Sequence, residues 1–179
     1  EQVRDADAAR REGIALHALL QHLGKLDPAI WPEIADKALV ALLPDSPADH
    51  PRLAAKAISI LHRPELSRIF GPSSRAEVPF LLDARRDGQA VRLSGRIDRL
   101  VIDEHGVMVI DYKSDAVVPG GPGAVPGNYV TQLGLYALVA SQLFPGRTIH
   151  AAILWTTLES LMKLPSDALA AGTEGFTLQ

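Results

Sequence analysis

The sequence predicts an α/β fold in which helices flank a central mixed sheet, with an extra helical region at the N-terminus. Helical periodicity dominates residues 1–70, β-prone stretches follow from residue 75, and a further helix and strand come after them. The two central strands carry apolar side chains on both faces, which indicates a sheet that is covered on each side. One face is predicted to hold Leu100, Ile102, Val107 and Val109, and the other Ile97, Val101, Met108 and Ile110.

The N-terminal region is predicted to be mainly helical. Its first helix extends from about Asp5 to Leu26, and prolines then interrupt the chain. Shorter helices are predicted over residues 32–43, 48–61 and 64–69. The apolar stripe of the first helix consists of Ile14, Leu16, Leu19, Leu20 and Leu23.

Strands are predicted next, over residues 75–82, 90–102 and 107–113, because β-prone runs there are separated by Asp-Gly and His-Gly turn signals. Residues 117–127 are rich in glycine and proline and are expected to form a mobile loop. A helix over 128–143 follows, with Leu133, Tyr136, Ala137, Ala140 and Leu143 as its inner stripe, and then a strand over 149–156. We expect one domain, with a helical part (1–70), a core (75–156) and a loosely held tail (157–179).

Composition excludes several classes of protein. The formal net charge is −3, so any contact with nucleic acid must be local or assisted by a partner. The chain has no cysteine, which excludes disulfides, thiolate zinc sites and a cysteine-ligated iron–sulfur cluster. It also lacks an apolar run of about 18 residues, so no membrane span is predicted.

The most informative segment is the predicted hairpin around residues 103–106. Asp98, Asp111 and Lys113 lie in apolar stretches, where charge is costly. The turn sets a register that puts Asp98 opposite Asp111, with Cβ atoms roughly 4.5–5.5 Å apart, and alternation puts Lys113 on the same face. Two carboxylates this close repel unless something positive lies between them, and a divalent metal ion is the usual solution. With a lysine beside them, they are the parts needed for metal-assisted phosphodiester hydrolysis.

Simpler interpretations of these three residues remain open. The acids could be solvated at strand ends or paired with Arg96 and Arg99. Lys113 could extend to solvent from a strand end, or pair with Asp115.

Other polar residues also have two interpretations. His17, on an apolar helix face, is more often a core or boundary residue than a ligand, although an imidazole would favour Mn²⁺ over Mg²⁺. Glu77 faces either the acids or solvent, and solvent is favoured. Gln132 and Tyr136 lie four residues apart on one helix face. They either border solvent or contact substrate phosphate or Lys113.

Four motifs occur in a fixed order, namely Gly13-x-x-x-His17, Gly95-Arg96-Ile97-Asp98, Ile110-Asp111-Tyr112-Lys113 and Gln132-x-x-x-Tyr136. This set resembles the RecB-like nuclease domain of the PD-(D/E)XK superfamily, which has a restriction-endonuclease-like sandwich fold. It is similar in particular to the C-terminal nuclease domains of AddA proteins from AddAB helicase–nucleases. The similarity extends from about Arg11 to Trp155.

The resemblance implies a role for each matching residue. Lys113 would be the catalytic lysine, acting with Asp98 and Asp111, while Gln132 and Tyr136 would support the site and the DNA. We further expect Arg96, Arg99 and the loop over 117–127 to guide the strand. The cysteine quartet of iron–sulfur relatives is absent. The implied ligands of a Mg²⁺ or Mn²⁺ ion are His17, Asp98, Asp111 and the backbone carbonyl of Tyr112.

The resemblance also implies an activity. It predicts a cytoplasmic, metal-dependent DNA exonuclease that degrades single strands delivered by a helicase motor, in double-strand break repair and recombination. The chain lacks a Gly-x-x-x-x-Gly-Lys-[Ser/Thr] loop, so the ATPase is not encoded here. Since it does not begin with methionine, we expect a fragment of a larger helicase–nuclease with an AddB-type partner subunit. The alternative is a nuclease-like module that binds DNA or a partner without catalysis.

Overall fold

The computed structural model describes the backbone of residues 2–179 and the side chains of residues 6–179. The chain forms two compact units that divide between Gly71 and Pro72. Every strand of the described chain belongs to the second unit. None of the helices in this described part is long and apolar enough to cross a membrane.

The first unit is a group of helices that pack through leucine and isoleucine side chains. Leu19, Leu20, Leu39 and Ile60 are fully buried, whereas Ile14 is 58% exposed. The prediction that Ile14 belongs to the apolar stripe is therefore wrong, because it lies two residues before Leu16 and so on the opposite side of the helix. The helices are α1 (Gln2–Leu23), α2 (Trp31–Leu42), α3 (His50–His62) and α4 (Ser67–Phe70).

The second unit contains a six-stranded mixed sheet in the order β5-β4-β3-β2-β1-β6. Only the β3–β4 pair is parallel among these described strands, and helix α5 provides the crossover that a parallel pair requires. This arrangement confirms the predicted α/β fold with a mixed sheet. The elements are β1 (Ser74–Arg86), β2 (Gln89–Asp103), β3 (Gly106–Lys113), α5 (Gly127–Leu143), β4 (Ile149–Trp155), β5 (Ser160–Leu164), α6 (Ser166–Gly172) and β6 (Phe176–Leu178).

The alternation of side chains in β2 changes by one residue near Asp98. Ile97 belongs to the same buried cluster as Leu100, together with residues of α5 and α6, although the sequence places them on opposite faces. Across the ladder, Glu77 has a left-handed backbone (φ 52°), and the regular pairs on either side of it are Ala76↔Arg99 and Val78↔Ile97. The left-handed residue interrupts the pleat, so strict alternation gives the wrong face for Ile97.

The segment after Trp155 contains three elements that the sequence analysis did not predict. Strands β5 and β6 extend the two edges of the sheet, and α6 packs against α5. At that contact Gly134 is essential, since a Cβ there would lie 2.8 Å from the Leu169 carbonyl oxygen and 2.6 Å from Thr173 Cγ2. Leu169 and Thr173 are both buried. The C-terminal segment is therefore packed against the rest of the second unit.

Candidate active site

The β2–β3 hairpin has the predicted register over its regular part, from Asp103↔Gly106 to Arg99↔Ile110. In the turn, Asp103 Oδ1 accepts a hydrogen bond from the His105 backbone N–H at 2.9 Å, as expected for an Asx turn. Gly106 has φ 126°, and a Cβ there would lie 2.3 Å from the Thr148 carbonyl oxygen. Turn chemistry therefore fixes which residues of the two strands meet.

The two aspartates come together at the point where this ladder ends. Asp98 and Asp111 are not a regular backbone pair; instead, Asp98 Oδ2 accepts a hydrogen bond from the Tyr112 backbone N–H at 2.7 Å. The two carboxyl groups are close enough for a hydrogen bond between them. The two acids thus converge as predicted. The Asp98 side chain accepts the hydrogen bond that the next backbone carbonyl of β2 would accept in a regular ladder.

Lys113 faces the acids and is largely enclosed. Its Nζ lies 2.7 Å from Asp111 Oδ2 and donates to Gln132 Oε1 at 3.0 Å, and its side chain is 17% exposed. The same Nζ lies 4.3 Å from the centroid of the Tyr129 ring. Asp115, the alternative partner, instead accepts a hydrogen bond from the Tyr129 hydroxyl. The lysine is therefore held against the acid pair and does not extend to solvent.

Helix α5 provides the second side of the site. The Gln132 amide nitrogen donates to Tyr136 Oη at 3.0 Å, which orients the amide so that its oxygen faces Lys113. The Tyr136 ring packs edge-on against Phe80, with centroids 5.6 Å apart. Of the two interpretations of Gln132 and Tyr136, the geometry therefore supports contact with Lys113.

The two arginines near the acids have different surroundings. Arg96 is exposed and its guanidinium lies 3.5 Å from Glu77 Oε2. Arg99 is buried and donates to Tyr112 Oη and to Ser74 Oγ, each at 2.7 Å. Arg96 is consequently accessible to a ligand, whereas Arg99 holds the Tyr112 side chain in place.

Burial and mutual repulsion make the acid pair reluctant to ionise. Burial and, to a smaller extent, the negative charge of Asp98 raise the pKa of Asp111 to about 7, although Lys113 opposes both effects. Burial also raises the pKa of Asp98, against the lowering effect of the Tyr112 N–H hydrogen bond. Near neutral pH, the pair therefore tends to retain a proton unless a cation compensates the charge.

The donor atoms fit a hard divalent cation. Asp111 Oδ2 is buried and has no hydrogen bond of good geometry, although Lys113 Nζ contacts it as an ion pair. Among residues 6–179, no group of three or more histidine, aspartate or glutamate side chains is arranged to hold a metal ion. Mg²⁺ commonly uses one or two carboxylates and completes its shell with water, so the aspartate pair is a suitable donor set.

Three further expectations have different outcomes. His17 lies half-buried on α1 in the first unit, and its assignment as a ligand stays a prediction. The Tyr112 backbone runs beside Asp98, and the role of its carbonyl likewise stays a prediction. The favoured solvent-facing position of Glu77 is wrong, because its side chain is only 23% exposed and its charge raises the pKa of Asp98.

Tyr129 is not among the site residues predicted from the sequence, and Asp115 is predicted only as an alternative partner of Lys113. Tyr129 precedes Gln132 by three residues and so shares its helix face, which is the signal that could have identified it. The left-handed backbone of Glu77 has no comparable signal, because glutamate rarely adopts that conformation.

Comparison with known proteins agrees with this geometry. A family model described as the PD-(D/E)XK nuclease superfamily matches residues 1–169. The chain is 29% identical to an ATP-dependent helicase/nuclease subunit from Desulfitobacterium hafniense, over 93% of the chain and 13% of that protein. It is also 29% identical to the subunit of the same name from Pelotomaculum thermopropionicum, over 82% of the chain and 13% of that protein.

A shorter match involves a protein of a different kind. Over 47% of the chain, the sequence is 30% identical to a CRISPR-associated exonuclease Cas4/endonuclease Cas1 fusion from Myxococcus xanthus, of which it covers 15%. The chain thus spans about one seventh of the length of these relatives. Because the family model covers nearly all of the sequence, the chain belongs to the PD-(D/E)XK nuclease superfamily.

Proposed function

We propose that this chain is the nuclease domain of a helicase–nuclease and hydrolyses phosphodiester bonds of single-stranded DNA with Mg²⁺ or Mn²⁺. The observation that carries the proposal is the pair formed by buried Asp111 and partly buried Asp98, with the Lys113 ammonium 2.7 Å from Asp111 Oδ2. Two acids that repel each other contribute little to the stability of the fold, even with an adjacent ammonium. The same three groups are well suited to bind a cation and a phosphoryl group.

Each residue then has a defined task. Asp98 and Asp111, with the Tyr112 carbonyl and His17, would hold the ion. A divalent cation supplies Lewis-acid polarisation of the phosphodiester and a more acidic water. The Lys113 ammonium stabilises negative charge that develops on the phosphoryl oxygens and orients the attacking water.

The remaining side chains support this arrangement. Gln132 keeps Lys113 in place through the hydrogen bond at 3.0 Å, and Tyr136 fixes the Gln132 amide. The exposed Arg96 guanidinium is available to a backbone phosphate of the incoming strand. Because the domain has net charge −3, we expect a motor elsewhere in the full protein to supply most of the affinity for DNA.

The names of the relatives support the wider setting. The two longer matches carry names that combine a helicase with a nuclease, and the shorter match carries the name exonuclease. We therefore propose exonucleolytic action in the cytoplasm on a strand that a helicase motor delivers, with an AddB-type partner subunit, in double-strand break repair and recombination.

The test is degradation of single- and double-stranded DNA labelled separately at each end. We expect metal-dependent loss of single strands, and a decrease of at least about 100-fold in kcat for Asp111→Asn and for Lys113→Ala. Asp167→Asn and Lys163→Ala are the matched controls, because both residues are exposed and lie outside the site. Full activity of either site variant would contradict the assignment.

Calorimetric titration with Mn²⁺ separates two reasons for an inactive chain. Binding that Asp111→Asn abolishes, without cleavage by the wild type, indicates a nuclease that needs its motor. Binding of DNA without any binding of Mn²⁺ indicates a non-catalytic module.

A further inference from the structure

We propose that Tyr129 is a positioning residue for the Lys113 ammonium, and this inference rests on the function proposed for Lys113. The centroid of the Tyr129 ring lies 4.3 Å from Lys113 Nζ, well within the range of a cation–π interaction. The Tyr129 hydroxyl donates to the Asp115 carboxylate, with oxygen–oxygen distances of 3.0 and 3.1 Å. The ring is therefore held at one end while its face meets the ammonium.

The neighbours of the ammonium explain what the ring contributes. An ammonium has three N–H donors, and the oxygens of Asp111 and Gln132 occupy two directions around Nζ. The negative face of an aromatic ring stabilises the charge in a further direction without adding another strong acceptor. A third carboxylate at the same place would compete with the substrate for the remaining donor, which the ring does not do.

The orientation of the ring has its own support. Thr157 Oγ1 donates to the Asp115 backbone carbonyl at 2.8 Å, which ties the segment after β3 to the segment after β4. The Tyr129 ring is also tilted against Trp155, with centroids 6.3 Å apart. Trp155 is fully buried and is the β4 partner of Lys113 in the parallel ladder. The ring thus contacts a buried tryptophan and a tethered carboxylate, and these contacts keep its face against the lysine.

The first test is spectroscopic and uses the metal-free protein. Protons above an aromatic face are shielded, so the ε-methylene signal of Lys113, identified by its loss in Lys113→Met, should lie upfield of the exposed lysines. We expect Tyr129→Leu to move the signal downfield to the exposed lysines. Tyr129→Phe and Asp115→Ala both remove the hydrogen bond between the ring and Asp115 while keeping the ring, so each should move the signal only part of the way. An unchanged signal in Tyr129→Leu overturns the inference, as does an unchanged signal in Asp115→Ala if the leucine variant does not fold.

The second test is kinetic. We expect Tyr129→Leu to lower kcat on single-stranded DNA about tenfold with KM within about twofold, since misplacing a reacting group acts on the chemical step. Tyr129→Phe should restore kcat to within about threefold of the wild type, because the ring face is kept. Ser141→Leu, at an exposed position of α5, is the control. Unchanged kcat in Tyr129→Leu overturns the proposal.

Failure of the proposed function can be distinguished from failure of the inference about Tyr129. If the wild-type protein does not cleave DNA under any condition, the proposed function fails, and the Lys113 signal alone decides whether Tyr129 positions the ammonium. If the wild type cleaves DNA while both Tyr129 variants match it in kcat and in signal, the inference fails and the proposed function stands.

Discussion

The Asp98 carboxylate accepts the backbone N–H of Tyr112 at 2.7 Å, directly beyond Arg99↔Ile110, the last regular pair of β2 and β3. The side chain continues the hydrogen bonding of the sheet where the backbone no longer does. Asp98 therefore holds β3 in addition to its proposed task, which is to offer a carboxylate to a cation, and the two can be separated experimentally.

The first prediction separates these tasks through two substitutions of Asp98. Asp98→Ala leaves the Tyr112 N–H without its acceptor and should lower the free energy of unfolding by about 1–3 kcal/mol relative to Asp98→Asn, which keeps an oxygen there. Both variants remove the same charge beside Asp111, so their difference isolates the hydrogen bond. Urea denaturation of the metal-free proteins measures it, and equal stabilities of the two variants would show that the bond contributes little.

The second prediction concerns pH and the metal-free protein. The pKa of Asp111 rises from an ordinary 3.8 to about 7 on folding, mainly through burial. The folded state therefore binds the proton more tightly, so the associated stability is complete below about pH 4 and is lost as pH rises through about 7. We expect the urea midpoint of the wild type to fall across this range and that of Asp111→Asn to fall less.

Added Mn²⁺ provides the complementary measurement. Because the ion takes the place of the proton, it should raise the urea midpoint more at about pH 8 than at about pH 5. Parallel pH profiles of the wild type and Asp111→Asn would contradict the assigned shift.

The third prediction concerns the contact between Gly95 and Phe80 across the β1–β2 ladder. A Cβ at residue 95 would lie 2.9 Å from Phe80 Cζ, which is too close without movement of the ring. Gly95→Ala should therefore lower the free energy of unfolding by about 1–3 kcal/mol. Phe80→Leu should remove most of that cost in a double-mutant cycle. Gly121→Ala, where a Cβ meets nothing within 4 Å, is the control.

The fourth prediction tests whether the C-terminal segment is held against α5. Gly134→Ala puts a Cβ against the Leu169 carbonyl and Thr173, at a cost of about 1–3 kcal/mol that exceeds the roughly 1 kcal/mol that alanine gains in helix propensity. Amide exchange should increase in α6 and β6. Gly127→Ala, at the unobstructed first residue of α5, should be neutral or stabilising. Fast exchange of α6 already in the wild type would contradict the packing.

The sequence predicts the hairpin register because two local signals agree, namely the turn residues Asp103-Glu104-His105-Gly106 and the apolar alternation in both strands. It gives the wrong face for Ile97 because the pleat changes at the left-handed Glu77, which no local pattern indicates. It misses β5, α6 and β6 because these short elements depend on distant partners such as Gly134 rather than on their own periodicity.

The candidate site, like the fold, was predictable from the sequence only in part. Strand register predicts that Asp98, Asp111 and Lys113 converge. Helix spacing puts Gln132 beside Tyr136 only, so contact between Gln132 and Lys113 was one of two open interpretations. Tyr129 was missed because an aromatic residue on a helix looks like an ordinary packing residue until the lysine beneath its ring is seen. The ligand role of His17 rests on the resemblance alone.

One consequence follows from how β3 is anchored. Asp111, Tyr112 and Lys113 are paired with Ile153, Leu154 and Trp155 of β4, and the Thr156 N–H donates to the Lys113 carbonyl at 2.9 Å. None of these bonds involves an ion. Unlike small zinc domains, which unfold when a chelator strips them, this domain does not rely on a metal ion to hold these two strands together. Under the proposed function, a chelator should therefore stop cleavage while leaving the domain folded.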